Sequence, residues 1–138
     1  MANTIDKAEK AKRALIDDLR GEGFDAVAVT PAAAPRDSRE RLSAFVEAGH
    51  HGAMDWIADT LERRCDPKTL WPDAQSIVMV AMNYGPQNSR QSLDMLEQKE
   101  RGTISVYAQH RDYHDVIKGK LKQAAGRFAA RFGAQVKV

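Results

Sequence analysis

Along "TIDKAEKAKRALIDDLRGEGF" the apolar positions Ala8, Ala11, Leu15 and Leu19 recur at helical spacing, with Ala14 and Ile16 beside them. This pattern predicts an amphipathic helix with one buried stripe. Thr4 is its expected N-cap, Asp6 and Glu9 suit its positive end, and Gly21 and Gly23 are the candidates for ending it. "DAVAVTPA" is β-branched and alternating, which predicts a strand ended by Pro31. A second helix is expected from Asp37 or Ser38, with Leu42, Phe45 and Val46 as its apolar face and Gly49 as its stop.

A short helix is expected over "AMDWIADTLERR", with Met54 and Trp56 turned into the core. "DPKTLWPDAQ" reads as a loop whose Asp66-Pro67 pair makes a turn or starts a single-turn helix. "SIVMVAMNYG", Ser76 to Gly85, is the strongest strand pattern. Its continuous apolar run predicts burial on both faces, the habit of a central strand in a layered α/β sheet. "PQNSRQSLDMLEQKERG" is polar and predicts a long loop, with one helical turn at most. "TISVYA" predicts a short strand or an extended segment. A long helix follows from Asp112 to Phe132, with Val116, Ile117, Leu121, Ala124, Ala125 and Phe128 inward. Gly133 ends it, and "AQVKV" opens a further strand.

The fold class is therefore α/β, a small layered sheet with flanking helices. A helix, a glycine turn and the first residues of a strand read as an α/β unit that continues. The chain is expected to be part of a longer protein.

Composition narrows the function classes. At 138 residues, 43% hydrophobic and 29% charged, the chain fits one folded domain rather than a disordered segment. A net charge of +2 does not by itself imply nucleic acid. The single cysteine, Cys65, excludes an internal disulfide framework and fits a reducing compartment. It also excludes an iron–sulfur cluster held by this chain alone. No stretch approaches the roughly 20 apolar residues of a membrane span, and the first residues lack the apolar core of a signal peptide. A cytoplasmic location is expected.

The candidate chemistry is concentrated in "YAQHRDYHDVIKGKLK", Tyr107 to Lys122. Asp112 precedes the apolar periodicity and suits the N-cap, and Asp115 favours the same helix end. That leaves Tyr107, His110, Tyr113 and His114 open to two readings, a packed helix start or the wall of a site. His50 and His51 in "AGHHG" are adjacent and diverge on any regular element, so a helix C-cap explains them better than metal binding. Arg63, Arg64 and Lys68 flank a turn, where an arginine fork can meet phosphate or carboxylate. Asn83 and Tyr84 end the strong strand, the place where open α/β sheets gather ligands. No phosphate-cradling, nucleophilic-triad or metal-chelating motif is present.

Three ordered segments carry a resemblance: "GFDAVAVTPA", then "RLSAFVEAGHHGAMDWIADTLERRCDPKTLWPDAQSIVMVAMNYGP", then "GTISVYAQHRDYHDVIKGKL". Together they resemble the N-terminal part of epoxyqueuosine reductase, the cobalamin-dependent enzyme of queuosine tRNA modification. The resemblance implies that residues 1–138 are an N-terminal, cobalamin-side α/β domain of a larger reductase. That enzyme converts epoxyqueuosine to queuosine in the tRNA anticodon loop. It uses cobalamin and two 4Fe–4S clusters, which a C-terminal cluster domain ligates and this chain does not.

Carried over by position, Arg64, Tyr107 and Ala108 are the cofactor-binding candidates, and Asp112, Tyr113 and His114 would support the site or face substrate. The family's catalytic acid would lie beyond Val138, so this chain alone is expected to be inactive. Two departures stand out: Ala48-Gly49-His50 where an aromatic commonly precedes His51, and Asp73 where glycine often follows Pro72. The alternative is a basic RNA-binding α/β module without catalysis. It would dock RNA through Arg63, Arg64, Lys68, Arg111, Lys118, Lys120 and Lys122.

Overall fold

A computed structural model describes residues 2–85, 96–102, 104–108 and 111–138, with side chains from residue 5 onward. It contains α1 (Ala2–Gly21), β1 (Ala26–Pro31), α2 (Ser38–Glu47), α3 (Trp56–Asp59), α4 (Leu61–Cys65), α5 (Pro67–Leu70), β2 (Ser76–Ala81) and α6 (Tyr113–Phe132). Mixed helices and a small sheet give the α/β class that the hydrophobic pattern predicts. The chain forms two compact units, residues 1–28 with 80–138, and residues 29–79.

β1 and β2 pair as a two-stranded ribbon. Its antiparallel register follows from the end bonds: Asp25 N–H donates to Ala81 O at 2.9 Å, and Ala32 N–H to Gln75 O at 3.0 Å.

In the first unit, Leu19, Phe24 and Ala124 are buried together, with Leu15, Val27, Val80, Met82, Ile117 and Leu121 packed around them. The helical stripes of α1 and α6 thus supply the core that the periodicity predicts. Ala124 is 0% exposed, packed with Leu19 of α1 and Phe24. Burying Leu19 and Phe24 contributes about 1.5–3 kcal/mol each.

The end of α1 explains how Phe24 reaches that core. Gly23 N–H donates to Arg20 O at 2.9 Å and Phe24 N–H to Leu19 O at 3.3 Å, the paired bonds of a Schellman turn. Gly23 carries the left-handed φ of +92° that this turn needs. Of the two glycine candidates, it is the one that ends the helix. Outside the core, Arg127 bonds both Asp18 oxygens at 3.0 and 3.1 Å and Glu22 at 2.6 Å, and Lys120 Nζ donates to Glu22 O.

The second unit is built from short helices. α2 ends in another Schellman turn: Gly49 N–H donates to Val46 O, His50 N–H to Phe45 O, and Gly49 sits at φ +69°. The Phe45 and His50 rings then lie 5.6 Å apart, the hydrophobic contact that accompanies this cap. Asp66 caps α5, accepting from Lys68 N at 2.8 Å with Pro67 in the first turn, so the Asp-Pro pair does start a single-turn helix.

Several expectations are corrected. α1 begins at Ala2, ahead of Thr4. The helix expected over "AMDWIADTLERR" is two, broken at Thr60, whose φ of −112° and ψ of 19° are not helical. Met54 and Trp56 are exposed, Trp56 by 52%, rather than core residues. β2 is not buried on both faces: Met79 is 61% exposed, because one paired strand and one packed face cannot cover an entire apolar run. Val106–Ala108 forms a 3₁₀ turn, not a strand. Residues 134–138 are not in a strand. Most of the expected polar loop, and His110 with it, lies outside the described residues.

Candidate functional site

The predicted residues near α6 converge. Asp112 is the N-cap, and its Oδ1 accepts the His114 backbone N–H at 2.8 Å while lying 2.9 Å from His114 Nδ1. The backbone bond, followed by the ring contact, holds the Asp112 carboxyl below its usual range. His114 in turn stacks on Tyr113, with ring centroids 4.1 Å apart. Tyr107, presented by the 3₁₀ turn, meets Tyr113 edge-on at 6.5 Å. Ala108 closes that turn by donating to Ser105 O at 2.8 Å.

Tyr107 is 55% exposed and Tyr113 43%. The cluster is therefore an ordered, solvent-facing wall of two phenols, an imidazole and a capping carboxylate. The aspartate starts the helix, and the rings beside it stay exposed.

Arg64 lies in the other unit, on α4. Its guanidinium sits 4.4 Å from the Trp56 ring centroid, and its Nε donates to Thr60 Oγ1 at 2.8 Å. Thr60 Oγ1 donates to Trp56 O at 2.5 Å, so residue 60 both breaks the helix and positions the arginine. The remaining N–H groups of Arg64 keep its fork usable.

A separate pocket of about 420 Å³ in the second unit is lined by Ala32, Ala33, Ala34, Pro35, Arg36, Arg39, Cys65, Asp66 and Lys68. Arg39 forms a fork with both oxygens of Glu62. That bonding raises the guanidinium further above its ordinary value and lowers the Glu62 carboxyl. Arg36 and Arg39 escaped the sequence reading. Their one signal was a spacing of three across a helix start, and the partner at Glu62 is remote in sequence. Asn83 accepts from Gly85 N–H at 2.9 Å and its own N–H donates to Asp25 Oδ2 at 2.6 Å, which makes it a turn residue.

Among the described residues, no group of three or more His, Cys, Asp or Glu side chains could hold a metal ion. Cys65 is buried and alone, so this chain's residues do not fit an iron–sulfur cluster, which needs several thiolates. His51 Nδ1 is a buried ring nitrogen with no hydrogen-bond partner among the described residues. No described helix is long and apolar enough to cross a membrane.

Residues 64–138 match the family model described as epoxyqueuosine reductase QueG, DUF1730. The span covers more than half of the chain and begins at Arg64. This chain belongs to the epoxyqueuosine reductase family. It is 33% identical over 130 residues to epoxyqueuosine reductase of Prochlorococcus marinus, covering 91% of this chain and 37% of that protein. It is 35% identical to that of Cellulophaga algicola, over 73% of this chain and 31% of the relative. With the Escherichia coli reductase the figures are 34% identity, 73% and 26%. The chain thus spans about a third of the length of these relatives. No solved structure matches it significantly. Arg64, Tyr107, Ala108, Asp112, Tyr113 and His114 all fall inside the matched epoxyqueuosine reductase span.

Proposed function

We propose that this chain supplies one wall of the cobalamin and substrate site of a cytoplasmic reductase that converts epoxyqueuosine to queuosine in the tRNA anticodon loop. The observation that carries this reading is the family match from Arg64 onward, within which Tyr107, Tyr113, His114 and Asp112 form one exposed cluster.

The residues present suit a corrinoid. Its amide arms need neutral donors and acceptors, and its ring needs apolar surface beside them. Tyr107 offers a phenol, the Ala108 turn offers backbone and a small side chain, and Arg64 offers unused N–H groups. When bound, cobalamin would supply the electrons for epoxide opening. Asp112 holds His114 in place, and Tyr113 lies flat against that ring, so the wall is ordered before any ligand arrives. Removing the epoxide oxygen also requires a proton from a positioned acid. Asp112, held ionised below the usual carboxylate range, is unsuited to donate it. In this reading the acid, and the two 4Fe–4S clusters, belong to a C-terminal cluster domain and adjoining strand beyond Val138.

The test is nucleoside mass spectrometry of tRNA from source cells lacking the gene. Loss of queuosine with accumulation of epoxyqueuosine is expected, and unchanged queuosine contradicts the reading.

One observation favours a second reading, a basic RNA-binding module. His114, Lys118 and Lys122 recur at four-residue spacing on the exposed side of α6, with Ile117, Leu121 and Ala124 on the covered side. Lys120, by contrast, is held inward by Glu22 O. Steep salt dependence of RNA binding without cobalamin binding would support it.

A further inference from the structure

We propose that the pocket of the second unit is a phosphate-binding site in which Arg36 and Lys68 hold the oxygens of a phosphate monoester or diester. None of the residues assigned above to the cobalamin wall lines this pocket, so its failure leaves that reading untouched.

The lining is rich in donors and poor in acceptors. Arg36 and Lys68 both border the pocket, and neither side chain forms an ion pair with another described residue. The Ala34 and Arg36 backbone N–H groups likewise donate to no other described residue. Asp66 is the one carboxylate in the lining, and its Oδ1 is engaged by the Lys68 N–H at 2.8 Å as the cap of α5.

Arg39 is different: its fork is closed on Glu62, which neutralises it and fixes it as a wall. Even with Asp66 counted against one of the remaining cations, the lining stays positive. Cys65 and the Ala32–Ala34 run make the rest of the surface apolar or backbone. A guanidinium fork, an ammonium and free N–H groups around one concavity match a tetrahedral anion with several oxygens.

The test is an amide-resolved NMR titration of the full 138-residue chain with inorganic phosphate at constant ionic strength. Saturable shifts at Ala34, Arg36 and Lys68 are expected. Arg36→Gln and Lys68→Gln should each weaken binding by about tenfold or more, the loss of a hydrogen bond to a charged group. Lys10→Gln on α1 should leave it unchanged, and Arg36→Lys should fall between. All these positions are exposed, and the dispersion of the same spectra reports that each variant is folded.

A second titration with single-stranded RNA separates the sources. Shifts at the same amides, suppressed by the same variants, identify a phosphodiester of RNA. A response to inorganic phosphate alone identifies a free phosphate or monoester ligand. No saturable shift at these residues overturns the proposal. So do shifts that sodium chloride reproduces, or that Arg36→Gln and Lys68→Gln leave unaltered.

Discussion

Asp112 holds His114 twice, accepting its backbone N–H at 2.8 Å and lying 2.9 Å from its ring Nδ1 with the same oxygen. One carboxylate therefore starts α6 and orients the ring on which Tyr113 stacks. Helix initiation and the geometry of this exposed ring cluster share a single side chain.

This sharing has a pH signature. The folded-state pKa of Asp112 is lowered, so its stabilising contribution is present above the unfolded carboxylate pKa and is lost as pH falls through the lower folded value. Thermal melts across the acid range should show Asp112→Ala less stable than the native chain near neutrality, with the gap closing as pH falls. Asp112→Asn can still cap, and should keep much of the neutral-pH stability while losing this part of the acid dependence. A gap that stays constant down to the lowest pH would contradict the assignment.

Leu19 is the largest fully buried side chain among the described residues. Leu19→Ala should cost about 2–5 kcal/mol in denaturant unfolding. A loss below about 1 kcal/mol, the range of surface substitutions, would mean that α1 does not pack on α6 as described.

Gly23 tests the turn that brings Phe24 inward. At φ +92° a Cβ is strained whatever its surroundings, and it would lie 3.5 Å from Lys120 Nζ. Gly23→Ala should destabilise by about 1–2 kcal/mol. Gly21→Ala, whose Cβ meets nothing within 4 Å, should be neutral or slightly stabilising. Equal effects at both positions would contradict the Schellman geometry.

The two glycines also show what the sequence makes legible. Local rules located the end of α1, the Asp66 and Asp112 caps and the stop at Gly133, because each depends on a few adjacent residues. The core stripe of Leu15, Leu19, Ile117, Leu121 and Ala124 was likewise visible as periodicity. The apolar run of β2 misled, since a run of valine and methionine looks the same whether neighbours cover one face or both. Trp56 and Met54 failed for the same reason: size suggests a core residue, but long-range packing decides exposure. Among the candidate site residues, Asp112, Tyr113 and His114 are legible together because they are consecutive. The Arg39–Glu62 fork and the pocket beside it depend on contacts distant in sequence.

Arg64 makes a local contact that can be read directly. Its guanidinium covers Trp56 at 4.4 Å and contributes about 0.5–1 kcal/mol there. In a Trp71→Phe background, Arg64→Ala should change the Trp56 emission spectrum and increase quenching by iodide. Unchanged emission and quenching would contradict the stack.

The central claim is that the chain forms part of a cobalamin site. The most direct measurement is an absorbance titration of cobalamin into the protein carrying this chain at its native length. The native form and the Tyr107→Ala and Arg64→Ala variants would be compared. Saturable binding that both variants weaken, with their folded signature intact, is the predicted result. Absence of binding, or affinity that neither substitution changes, would contradict the account.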